Sequence, residues 1–338
     1  MKHAKPHIKR LLRDPLAKWP ADVSLALCGP VGVGKRTLGQ KLPQTRVEIT
    51  HRRGQTASPQ RSIRLHPLTV RELGLQDTGQ FLTLMGRGGF PASIWQASEA
   101  DHPESLPGHI DELIGSLWAT KPPRGGRGAP EKRPKDPQAV LCDLMARIGQ
   151  PLSIHAMASA FGVSHPTMKR WIDELEDHHG LFRLKPFSNP STHSHFRPIK
   201  KDQKAYPYDW SLGPNNHARL ETLVAVHLLA WVETGVDLFD KPFALHYLRD
   251  CDQREVDFVI SNNGEPILLV QCEPSIARPS PHLVYFQKKF PAAQAWHLSL
   301  EHPRSPQTLG SVRMAHPLDF LMTLDLGHSR QRSPDPIE

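Results

Sequence analysis

The chain has 338 residues, with 42 Lys and Arg against 34 Asp and Glu, a formal charge of +8, and 20 His besides. That length allows two or three domains around a sizeable core, and the basic balance favours polyanionic partners such as nucleic acid. Cys28, Cys142, Cys251 and Cys272 are scattered without CxxC spacing, which excludes a zinc site or a disulfide framework, and no apolar run reaches the length of a membrane span.

A cytoplasmic protein without membrane contact is therefore expected. The basic N-terminus, MKHAKPHIKRLLRDP, has no apolar stretch after it and does not read as a secretory signal. The 33 prolines predict long connections between modules.

In chain order, VSLALC at 23–28 is a short apolar run ending at a glycine turn, which predicts a buried parallel strand. A helix is expected over Lys35 to Leu42, stopping before Pro43. Residues 51–64 are polar and basic and read as a loop, and HPLTVREL as a turn feeding a short helix. Helical spacing occupies parts of 80–118. KPPRGGRGAPEKRPKDP at 121–137 reads as a solvated linker.

Between that strand and helix lies GPVGVGKRT, residues 29–37. Gly29, Gly32 and Gly34 let backbone N–H groups turn inward around a phosphate, and Lys35 is placed to bridge phosphates. ATP is the expected ligand. The next position should carry the hydroxyl that holds Mg²⁺, but it is Arg36, which has no lone pair to give. Thr37 is one residue later, turned by about 100° around the helix. Between Val47 and Trp118 no run of four apolar residues ends in Asp or Glu, so the acidic strand that hydrolysis needs is missing. A glycine-rich turn kept only for strand-to-helix geometry is the plainer reading.

Beyond the linker, periodicity predicts a helix over 138–149, then one capped by Ser153 and running to about Phe161. Gly162, Val163 and Ser164 form a turn before a second helix, His165 to Glu176. This is a helix-turn-helix pattern, and LFRLKPF and HFRPIKK around a polar tip would supply a wing. If it binds DNA, His165, Thr167, Lys169 and Arg170 face the duplex, while Lys200, Lys201 and Lys204 reach phosphates. The DELED ending of the second helix opposes deep burial along DNA, and a unit used only for protein contact is the alternative.

RLETLVAVHLLAWV at 219–232 predicts an apolar helix, followed by strands at HYLRD, REVDFVI and PILLVQCE with Gly264 in a hairpin turn. Glu221, Asp257, Gln271 and Glu273 sit where a restriction-endonuclease-like centre carries a helical Glu, a strand Asp and Glu-x-Lys. Positions 271 and 273 share a face by period-2 geometry. Here Gln replaces the acid and Glu replaces the lysine. Asp257 and Glu273 remain the candidate metal ligands, and Lys288 and Lys289 the candidate replacements for the lost cation.

Together, LALCGPVGVGKRTL, RSIRLHPLTVREL, the segment ending KAYPYDWSL, RLETLVAVHLL, and LHYLRDCDQREVDFVI with PILLVQCE resemble a large bacterial and archaeal family of AAA-like ATP-binding proteins. Their C-terminal domain, of unknown function, looks like a restriction-endonuclease fold. The resemblance implies an α/β chain: a P-loop module over 1–120, the linker 121–137, a winged helix-turn-helix over 138–212, a nuclease-like domain over 213–325 and a disordered tail, 326–338. It implies Gly29, Gly34, Lys35 and Thr37 as the nucleotide loop, and Glu221, Asp257, Gln271 and Glu273 as the nuclease-like centre. The chain departs from the family in having only about two dozen residues between the loop helix and RSIRLHPLTVREL, so the middle of the ATPase sheet looks deleted. With both centres altered, an accessory or regulatory role fits better than catalysis. An active ATPase or metal-dependent nuclease with displaced groups, and a protein-binding scaffold, are the competing readings.

Overall fold

A computed structural model describes residues 10–44, 46–50, 61–95, 113–115, 134, 136–188, 202–273 and 278–325. Among these the fold is mixed α/β with several sheets.

After the short helix α1 (Arg13–Ala17), the fully buried strand β1 (Leu25–Cys28) is the middle of a three-stranded parallel sheet. Helix α2 (Lys35–Gly39) connects it to β2 (Val47–Ile49), and β3 (Arg61–Arg64) lies on the other side. Leu25 pairs with Val47 across one edge and with Arg61 across the other. The expectation that all of 51–64 is loop is thus corrected at its end. A strand whose charged residues find partners outside the sheet carries no apolar run for a periodicity reading to detect.

Helix α3 (Val70–Leu73) starts at a full capping box, in which Thr69 and Glu72 satisfy each other's backbone N–H groups. Helices α4 (Thr78–Arg87) and α5 (Pro91–Trp95) follow. Trp210 donates its indole N–H to the Leu84 carbonyl at 2.9 Å, pinning α4 to the later part of the chain.

Helices α6 (Pro137–Ala146), α7 (Ile154–Ala160) and α8 (His165–Asp177) come next. Ser153 caps α7 and Ser164 caps α8, and Gly162 makes the intervening turn at φ +60°. Met168, Trp171, Ile172 and Leu175 form the buried stripe of α8. Two antiparallel strands follow, β4 (Leu181–Leu184) and β5 (Lys204–Pro207).

The long helix α9 (Asn216–Phe239) is buried nearly all round, and packs on β3 as well as on the strands that follow it. By length and composition it meets the criterion for a membrane span, but it is mostly buried and reads as a core helix. The remaining elements are β6 (Phe243–Arg249), β7 (Glu255–Asn262), β8 (Glu265–Cys272), α10 (Pro281–Lys289), β9 (Gln294–Leu298), β10 (Gln307–Leu309), β11 (Val312–Ala315) and α11 (Pro317–Thr323). Their six strands form one sheet in the order β10-β11-β9-β8-β7-β6. Asn263 and Gly264 both take positive φ between β7 and β8, as a two-residue hairpin requires. At the β6 edge, Phe187 donates to the Tyr247 carbonyl at 2.7 Å, and Tyr247 donates to Lys185 at 3.3 Å. The chain leaving β4 therefore occupies an edge that would otherwise expose unpaired backbone.

Candidate functional site

Most of the residues singled out by sequence lie in three places on the fold: the loop at 29–37, the exposed start of α8, and a buried acidic centre.

The loop leaves β1 at Gly29 (φ +139°) and passes Gly32 (φ +79°) and Gly34 (φ +94°). A Cβ on Gly29 would lie 2.2 Å from the Leu65 carbonyl oxygen, so close packing against the end of β3 alone demands glycine there. The Lys35 ammonium is buried and donates to the carbonyls of Gly29 and Pro30, each at 2.6 Å. Arg36 and Thr37 are exposed on α2. Arg10, for which spacing carries no signal, fastens the loop. It donates to the Val33 and His66 carbonyls at 2.6 and 2.7 Å and to Glu72 at 3.0 Å.

The strands flanking β1 end at Ile49 and Arg64 and are followed by Thr50 and by Leu65–His66, so neither delivers a carboxylate beside the loop. Glu48 lies within β2, opposite Ala26. The β3 edge is closed by α9 instead. Arg64 forks onto Asp237 at 2.6 and 3.1 Å and reaches Glu233 at 2.8 Å, while His66 Nε2 lies 2.9 Å from Glu233. Burial opposes the charge on Arg64, but the two carboxylates outweigh it and raise its pKa.

The acidic centre gathers Glu221 from α9, Asp257 from β7 and Gln271 from β8. Asp257 accepts from Gln271 Nε2 at 3.0 Å and from the Cys272 amide at 2.8 Å. Glu221 accepts from the Tyr206 hydroxyl at 2.7 Å. Sequence reasoning missed two members. Glu255 is one, and the other is Lys204, whose Nζ lies 2.5 Å from Glu255, 3.8 Å from Glu221 and 4.0 Å from Asp257. Lys204 is 1% exposed, which corrects its assignment to the DNA surface. Lys204 is thus the ammonium found beside these carboxylates, where Lys288 or Lys289 was expected. Those two end α10, where the Lys289 ammonium lies over the Tyr285 ring. Glu273 donates its amide to Leu298 at 3.0 Å. Among the described residues no three His, Cys, Asp or Glu side chains converge at metal-binding geometry.

Burial and the neighbouring charge of Glu221 push the Asp257 carboxyl well above the usual range, against the pull of Lys204. Burial opposes the Lys204 charge, but Glu221, Asp257 and Glu255 together raise its pKa. Three carboxylates thus share one ammonium, and Asp257 is the acid pushed towards its neutral form. The hydroxyl of Tyr206 stays protonated, held up by burial and by Glu221, as its donated bond requires.

At the start of α8, His165 and Lys169 are exposed, while Thr167 and Arg170 are half-buried. Lys169 pairs with Asp173 at 2.5 Å and Arg170 with Glu174 at 3.9 Å, so both cations are partly neutralised within the helix. The Thr167 and Ser164 hydroxyls share a hydrogen bond at 2.9 Å. Lys200 and Lys201 lie outside the described residues.

A family model described as a domain of unknown function (DUF8612) matches residues 127–220. That segment holds α6 to α8, β4, β5 and Lys204, but not the loop at 29–37, and it stops one residue short of Glu221. No curated protein and no solved structure matches the chain.

Proposed function

We propose that the chain is a non-hydrolytic relative of the AAA-like ATP-binding proteins, an accessory protein that holds a nucleotide phosphate at residues 29–37 and engages DNA through α7 and α8. One observation carries this reading: the two strands beside β1 run out into Thr50 and Leu65, neither of them acidic, while Arg36 takes the hydroxyl position. Splitting a phosphoanhydride needs Mg²⁺ and a polarised water at that place. The residues present do not fit the metal. The positive-φ glycines and Lys35 still suit a phosphate, with the ammonium leaving its two carbonyls to meet the ligand.

Support for the partner comes from α7, the Gly162 turn and α8, followed by the β4–β5 pair, an order that suits a winged helix-turn-helix. A small cleft lies between Pro30 and Val31 of the loop, Phe90, and His179, Tyr208 and Asp209 beyond α8. The cleft places the loop beside the turn that follows α8. The nuclease-like reading of the C-terminal sheet rests on α9, β7 and β8 placing Glu221, Asp257 and Gln271 together.

Phosphate release from ATP by the full chain, with Mg²⁺ and with or without duplex DNA, tests the proposal. No turnover is expected from wild type or from Arg36→Thr, because the acid is missing as well as the hydroxyl. Turnover by either protein contradicts it. A second reading, a protein-binding scaffold, is favoured by the ion pairs that occupy Lys169 and Arg170.

A further inference from the structure

We infer that Lys204 is the resident cation of the acidic centre: its ammonium stands where Glu221 and Asp257 would otherwise hold a divalent metal ion, and it ties the strand after α8 to the C-terminal sheet. The inference does not depend on how the loop at 29–37 is read.

The geometry is specific. Lys204 and Tyr206 are two residues apart on β5, so both side chains leave the same face. Lys204 delivers its ammonium to Glu255, and Tyr206 its hydroxyl to Glu221. The ammonium lies within 4.0 Å of carboxylate oxygens from α9 and from two positions on β7. The face of Tyr247 adds a ring 5.3 Å from the same nitrogen. Strand β5 is fixed by its ladder with β4 and by a bridge between Lys204 and Pro151.

A divalent ion binds carboxylate oxygens at about 2.0–2.6 Å. It cannot share this space with an ammonium that already sits among them, and two cations side by side repel. Three buried or half-buried carboxylates from two elements, α9 and β7, repel one another without a positive charge among them. The chain provides that charge covalently, so the centre needs no metal and links β5 to the sheet wherever the protein goes.

The test compares wild type, Asp257→Asn, Lys204→Ala and Lys204→Ala/Asp257→Asn as full chains, by thermal unfolding and calorimetric titration with MnCl₂. Wild type is expected to show no saturable Mn²⁺ binding. Lys204→Ala is expected to lose stability and to recover a Tm rise of roughly 5 °C at about a hundredfold excess over Kd. The double variant should lose that recovery. Mn²⁺ binding by wild type that Asp257→Asn removes would overturn the inference, as would a folded Lys204→Ala that ignores Mn²⁺. Should Lys204→Ala not fold even with Mn²⁺, wild type and Asp257→Asn decide alone. Binding lost in Asp257→Asn overturns the inference, and absence of binding in wild type upholds it.

Discussion

Arg64 on β3 and Asp237 on α9 form a forked ion pair, and the Arg64 backbone amide adds a third bond to the same carboxylate at 2.8 Å. The pair joins the edge of the N-terminal sheet to the helix on which the C-terminal sheet is built. A sheet with so few strands is stabilised here by an acidic helix turn in place of further strands.

Arg64→Ala leaves Asp237 and Glu233 facing each other, both less than a tenth exposed. The expected cost is about 2–4 kcal/mol in urea unfolding. Arg61→Ala removes a pair with Asp240 in which both side chains are well exposed, together with a guanidinium 5.7 Å from the Trp19 ring, and should cost about 1 kcal/mol or less. Equal costs would show that the β3 edge is not held by Arg64.

His227, buried in α9, accepts from the Val70 amide at Nε2 (3.1 Å), so its proton sits on Nδ1, which donates to the Leu223 carbonyl at 2.8 Å. Burial lowers its pKa to about 4, against the Leu223 bond. The fold therefore favours the neutral ring. This stability is fully present above about pH 6.5 and lost as pH falls towards 4, amounting to roughly 3 kcal/mol. Asp257, with its raised pKa, acts in the opposite sense. Comparing wild type with His227→Gln isolates the histidine: the variant should be weaker at pH 7 and lose less on acidification. Parallel losses in the two proteins would place the acid sensitivity elsewhere.

Gly29→Ala should cost about 3 kcal/mol or more, because the new Cβ meets the Leu65 backbone at 2.2 Å and φ is +139°. Gly34→Ala has only Pro91 within 4 Å and should cost about 1–2 kcal/mol, from its φ of +94° alone. Thermal or urea unfolding separates the two. Equal effects would mean that β3 does not press on the loop.

Much of this was legible locally. Strand β1, the turn at Gly162 and the hairpin at Gly264 follow from short-range patterns, and α8 runs one residue beyond its expected end. Strand β3 and Lys204 were not legible, for a shared reason. Each looks solvent-facing because its charge is balanced by residues far along the chain, Arg64 by Asp237 and Lys204 by Glu255. Spacing rules read neighbours within one element and carry no signal for such pairs. Arg10 is hidden in the same way, its partners being Val33, His66 and Glu72.

DNA affinity should fall steeply with salt, and Lys169→Ala should reduce the slope of log affinity against log salt by about 1. Binding measured by fluorescence anisotropy across a salt series checks this. No DNA binding at low salt would leave the protein-scaffold reading, in keeping with the Lys169–Asp173 pair.

Calorimetric titration of the full chain with ATP, once with Mg²⁺ and once with the metal chelated, probes the loop at 29–37 itself. The same affinity is expected in both, lost in Lys35→Ala, because the loop offers glycine amides and an ammonium but no ligand for the metal. Binding that requires Mg²⁺ would mean that an acid elsewhere completes the site, and no binding at all would make GPVGVGKRT a structural turn. Either result contradicts a loop that holds phosphate without splitting it.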